Sequence, residues 1–104
     1  MARPRSEIGM ILRNILGTNK VYFQQPSKEM INAATYIVYE RSDFETTRAD
    51  NKIYRGLVRY TITIISKDPD NDLFKKIMDS FMYCSYDRSF KSDNYNHDVL
   101  TLYY

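Results

Sequence analysis

Tryptophan is absent from this chain, and cysteine and histidine each occur once, as Cys84 and His97. A single thiol forbids an intrachain disulfide and fits synthesis in a reducing compartment. One His with its adjacent carboxylates likewise gives too few ligands at fixed spacing for a tight transition-metal site. Glycine and proline number three each in 104 residues, and with a hydrophobic fraction of 43% this excludes a low-complexity or disordered chain. Long apolar runs are missing too. The longest, Tyr36–Tyr39 and Phe81–Cys84, have four residues, far short of the roughly 18 that a membrane helix needs. The basic start Met1–Arg5 is followed by no apolar h-region, so no secretory signal is expected.

Neither sign of charge dominates. Fifteen Lys plus Arg against thirteen Asp plus Glu leave a formal +2, which provides no basic stripe for sequence-independent phosphate binding. What the chain does have is tyrosine, ten residues beside five Phe. Tyr joins a large apolar ring to a hydroxyl that tolerates water, so it suits both β-rich cores and protein interfaces. A chain of this length forms one domain, residues 1–104, that buries roughly 60–70% of its unfolded surface.

Hydrophobic spacing predicts the elements. Ile8, Ile11, Leu12, Ile15 and Leu16 recur at helical offsets, with Ser6 as a candidate N-cap and Gly17 where a left-handed C-cap belongs. Lys20–Phe23 is a short strand stopped by Gln24-Gln25-Pro26, and Ser27–Ala34 is ambiguous. Thr35–Arg41 reads as a strand covered on both faces, because Tyr36, Ile37, Val38 and Tyr39 are all apolar. In Leu57–Ile65, Val58, Tyr60, Ile62 and Ile64 alternate with Arg59, Thr61 and Thr63. Lys67–Asp70 is a turn in which Asp and Pro start a second helix carrying Leu73, Ile77 and Phe81, which ends near Ser80–Tyr83. Cys84–Phe90 and Val99–Tyr104 are the last strands, joined by the turn-forming residues 91–98. The order α-β-β-β-α-β-β, with four to five mostly antiparallel strands packed by two helices, makes an α+β domain.

Between the second and third strands runs a stretch of about 14 residues without apolar period, where connections of 4 to 6 are usual. Asp43, Glu45 and Asp50 alternate there with Arg48, Lys52 and Arg55, while Asn51 suits a tight turn and Tyr54 could anchor an interface. A solvated mixed-charge loop or a protein-binding surface explains it better than a nucleic-acid site. The other polar cluster is Asn96, His97 and Asp98. In a strand His97 and Asp98 point to opposite faces, so a structural hydrogen-bonding role outweighs an acid–base pair or a metal. No glycine-rich loop surrounds Cys84, and Gly9, Gly17 and Gly56 are isolated, so no enzyme chemistry and no cofactor are expected.

Four strings carry a resemblance. They are I-V-Y-E at Ile37–Glu40, A-D-N-K-x-Y at Ala49–Tyr54, R-Y-T-I-T at Arg59–Thr63 with the K-D-P-D turn after it, and D-N-x-N-H-D-V-L-T-L-Y-Y at Asp93–Tyr104. In this order and spacing, covering most of the chain from Val21 onward, they resemble the small tail terminator, or tail completion, proteins of tailed bacteriophages. The chain departs from that pattern in having Ala34-Thr35 where a proline is frequent and Tyr95 where a leucine is. The resemblance implies a structural virion protein, made in the host bacterial cytoplasm. Its copies would form a homo-oligomeric ring, usually a hexamer, on the head-proximal end of the tail tube. Such a ring ends tube polymerisation and offers a surface to the head–tail connector protein. The implied partners are the tail tube protein and the connector, with no membrane and no specific nucleic acid. A head-side neck or connector protein, and more distantly a small nucleic-acid-binding α+β module, are the alternatives.

Overall fold

The computed structural model describes residues 5–24, 35–41, 57–68, 70–92 and 94–104. They form α1 (Arg5–Leu16), β1 (Val21–Phe23), β2 (Thr35–Arg41), β3 (Arg59–Ser66), α2 (Leu73–Ser80), β4 (Tyr83–Ser92) and β5 (Tyr95–Tyr103), in the element order expected. The five strands make one sheet in the order β1-β2-β3-β5-β4. β1 runs parallel to β2, and the other three pairings are antiparallel.

Alternation along the strands builds the core. Ile37 and Tyr39 of β2, Tyr60, Ile62 and Ile64 of β3, and Leu100 and Leu102 of β5 share one face, and Tyr39, Ile62 and Leu100 lie side by side across three strands. Ile8 and Leu12 from α1 and Ile77 from α2, with Phe81 after it, close over that face. The helices lie here because their apolar residues recur every three to four positions, so each has one stripe to bury. The opposite face holds a smaller cluster, Tyr36, Val38 and Ile65 with Tyr22 and Tyr95 packed on them. β2 is therefore buried on both faces, as its four consecutive apolar residues require. Tyr22 and Tyr95 meet Tyr36 edge-on from either side, at 6.3 and 6.2 Å.

Two glycines have distinct jobs. Gly17 adopts φ +82° and its N–H reaches the Arg13 carbonyl at 2.8 Å, ending α1 with the left-handed cap expected. Gly9 instead lets α1 approach β2, since a Cβ there would stand 2.9 Å from the Tyr39 hydroxyl. Gly9→Ala gains about 1 kcal/mol of helix propensity but overpacks a buried contact, which typically costs about 1–3 kcal/mol. The substitution is expected to lower the melting temperature. In a Tyr39→Phe background, where the obstructing oxygen is gone, it is expected to raise it.

Three expectations need correction. Helix α1 begins at Arg5, so Ser6 sits inside the first turn and is not the N-cap. Helix α2 begins at Leu73, later than the Lys67–Asp70 turn implies, and its N-cap Asp72 makes no side-chain cap bond. Asp68 is occupied in its own turn, accepting from the Asp70 N–H at 2.9 Å, and Asn71 Oδ1 accepts from Leu73 N–H at 3.3 Å. The third correction is the largest. Residues 91–98 are not one connecting loop, because β4 and β5 pair from Tyr83↔Tyr103 as far as Ser92↔Tyr95. Asn94 turns the chain at φ 66°, a conformation that Asn tolerates better than most residues. This hairpin is exposed over most of β4, so its residues are polar and carry little alternation to read.

Candidate functional site

The residues expected to form a working surface, Asp43, Glu45, Arg48, Asp50, Asn51, Lys52, Tyr54 and Arg55, lie outside the described residues, as does the ambiguous stretch Ser27–Ala34. The sheet fixes where the excursion starts and ends. β2 finishes at Arg41, which pairs with Tyr60 near the start of β3, so both ends of the connection leave from adjacent central strands. Arg59, Tyr103 and Tyr83 form a cross-strand row at that same end. Two cationic side chains, Arg41 and Arg59, therefore flank the roots of the excursion.

Asn96, His97 and Asp98 lie at the other end of the sheet. Asn96 pairs with Ser66, seven residues along β3 from Arg59, which at about 3.3 Å per residue is on the order of 23 Å. All three are inside β5, which corrects the expectation of a loop ahead of it.

Each member has a separate contact. Asn96 Nδ2 donates to the Ser66 carbonyl at 3.4 Å. His97 Nδ1 lies 3.2 Å from the Tyr95 carbonyl, and its ring stacks on Phe90 with centroids 4.7 Å apart and planes 10° from parallel. Asp98 accepts a hydrogen bond from the Tyr86 hydroxyl at 2.8 Å. Two of the three thus make the side-chain to backbone contacts expected, and Asp98 bonds a side chain instead. His97 shares its face with Val99, and Asp98 shares the helix-covered face with Leu100, so they form no acid–base pair. His97→Ala removes the stack and the Nδ1 contact from a half-buried site and is expected to cost about 1 kcal/mol in denaturant titration. A chelator is expected to leave the melting temperature unchanged; a large drop would instead reveal a bound metal.

Ser66 ties this end of the sheet together. It is fully buried; its hydroxyl accepts from the Asp68 N–H at 3.0 Å and bonds the Thr35 hydroxyl at 3.0 Å. Sequence reading passed over it because a serine closing a strand looks like a turn residue.

The chemistry on offer is limited. Burial, with the Asp87 carboxylate adding to it, pushes the Cys84 thiol up to about 11, so it stays protonated and non-nucleophilic at neutral pH. At Tyr86 a bond with Ser89 lowers the hydroxyl's value, but partial burial and Asp98 raise it, and the net direction is up. Among the described residues no group of three or more His, Cys, Asp or Glu could hold a metal ion. Among the same residues no helix is long and apolar enough to cross a membrane.

Sequence reasoning placed Asp87, Arg88 and Phe90 in a strand but missed that this strand runs on to Ser92 and that the last one begins at Tyr95. The available signal was Asp93-Asn94 as a two-residue turn with aromatic residues on both sides, Phe90 and Tyr95. No family model matches the chain, and neither a curated protein nor a solved structure is found to be similar to it.

Proposed function

We propose that this chain is a phage tail terminator: a structural protein that caps the head-proximal end of a tail tube as a ring, usually of six copies. The ring ends tube polymerisation and presents the surface on which the head–tail connector docks. The supporting observation is where three of the four strings lie. Ile37–Glu40, Arg59–Thr63 and Asp93–Tyr104 are far apart in sequence, yet their strands are neighbours, β2 beside β3 beside β5. Tyr39, Ile62 and Leu100, one from each string, form a single row in the core. This placement is compatible with the α+β fold that the resemblance implies. The fourth string, Ala49–Tyr54, lies outside the described residues.

The proposed ring needs a heterologous contact that closes on itself. The excursion from Asp43 to Arg55 supplies alternating charges that fix register and partner choice more than affinity. The protein acts as no enzyme in this reading. An extract of infected cells lacking the chain is expected to accumulate overlong tubes and unjoined heads, and added protein to restore normal length and joining. Restoration of joining with tube length unaffected would move the assignment to the head-side connector. No effect on either would overturn the proposal.

A further inference from the structure

Strand β4 is the long open edge of the sheet: β5 pairs with one side of it, and among the described residues no strand pairs with the other. Eight of its ten residues, Ser85 to Ser92, are exposed, and this edge offers backbone donors and acceptors to another chain. β4 is also irregular. Tyr86 pairs with Leu100 and Arg88 with Val99, so Asp87 is an extra residue, a bulge. Before the bulge Cys84 and Tyr86 share the helix-covered face with Leu102 and Leu100, and Ser85 shares the opposite face with Thr101. Asp87 is also on that opposite face, where its carboxylate accepts from the Thr101 hydroxyl. After the bulge Arg88 and Phe90 lie on this face too, opposite Val99 and His97, whereas Ser89 and Lys91 lie on the helix side.

We infer that β4 pairs antiparallel with β4 of a second copy about a two-fold axis between Asp87 and Arg88, making a continuous sheet of ten strands. In the full-length register Tyr83 meets Ser92 of the other copy, and the positions of each pair sum to 175. Without the bulge every such pair would join opposite faces, because the two positions differ in parity. With it, every pair shares a face. The side chains then fit in kind. Asp87 meets Arg88 twice, once on each side of the axis, and Tyr83, Tyr86 and Phe90 each face a serine, Ser92, Ser89 and Ser85. Cys84 faces Lys91, and no two like charges are opposed. Opposite charges directly across a strand pair stabilise it and like charges destabilise it. The contact is isologous, so it closes at two copies. It goes beyond the tail reading and does not depend on it.

Sedimentation velocity on the full chain, with D87K, R88D and a 1:1 mixture of the two, tests this. The parent is expected to show a concentration-dependent dimer. Each variant alone places like charges opposite one another at both contacts and is expected to weaken dimerisation at least about tenfold. In the mixed pair the introduced lysine of one copy stands opposite the introduced aspartate of the other, and the retained Arg88 of the first opposite the retained Asp87 of the second. Both contacts again join opposite charges, so the dimer is expected to return as a mixed species. D87K also loses the Thr101 bond; R88D does not, and unchanged circular dichroism of R88D keeps the test valid should D87K fold poorly. A parent that stays monomeric, an assembly unchanged by either variant, or a mixture that fails to regain the dimer would each overturn the pairing.

Discussion

Removal of Leu102–Tyr104 is expected to abolish cooperative folding. β5 is an interior strand, flanked by β3 and β4, so shortening it withdraws ladder bonds from both neighbours. Leu102 is fully buried, between Tyr60 on one side and Cys84 on the other. Truncating one such leucine to alanine typically costs about 2–5 kcal/mol, against a total stability of about 5–15 kcal/mol for a small domain. Tyr104 adds its own share. Its ring meets Phe81 edge-on at 5.6 Å, its N–H bonds the Val58 carbonyl at 3.0 Å, and its hydroxyl donates to Glu7 at 2.6 Å. These contacts fasten the strand to α1, to the approach to β3 and to the residue that ends α2. The truncated chain is expected to lose its melting transition in circular dichroism. Tyr104→Phe, which removes only the hydroxyl, is expected to cost about 1 kcal/mol and to keep the transition. A truncated chain that melts within a few degrees of the parent would refute the central place given to β5.

The second large effect is expected on assembly, not on folding. Reversing charge at Arg48 or at Asp50, as Arg48→Glu and Asp50→Lys separately, is expected to abolish joining of tubes to heads or closure of the ring. The stretch carries alternating charges, Arg48, Asp50 and Lys52 among them, which suit a partner surface. Complementary charges across that surface select register and partner, and juxtaposed like charges there cost several kcal/mol. The monomer's circular dichroism and melting curve are expected to be nearly unchanged, since the sheet roots at Arg41 and Tyr60 and the core beneath them are untouched. If both variants complete tails as well as the parent, the excursion is not the working surface.

How far the sequence could be read follows from where the information is local. β2 was legible to its end residues because four consecutive apolar side chains can satisfy two buried faces only in a covered strand. The alternation from Val58 to Ile64 placed Tyr60, Ile62 and Ile64 correctly on the core face, and Gly17 marked the end of α1. Features set by distant partners were not legible. The parallel pairing of β1 with β2, the approach of Gly9 to Tyr39, and the burial of Ser66 beneath Thr35 all join residues more than 13 positions apart. The β4–β5 hairpin was hidden for another reason: a mostly exposed ribbon needs few apolar residues, so its polar composition imitates a loop. The bulge at Asp87 then breaks the period-two pattern in the middle of β4. Of the candidate site residues, His97 and Asp98 were correctly placed on opposite faces of a strand by their alternation. The contacts of Asn96, His97 and Asp98 with Ser66, Phe90 and Tyr86 required the fold.

The proposed ring is tested most directly by negative-stain electron microscopy of the purified chain, alone and mixed with phage tail tubes. Rings, most with six subunits, are expected on one end of the tubes, and the tubes are expected not to elongate when fresh tube protein is added. Tubes with bare ends that keep growing in the presence of the protein would contradict the proposal.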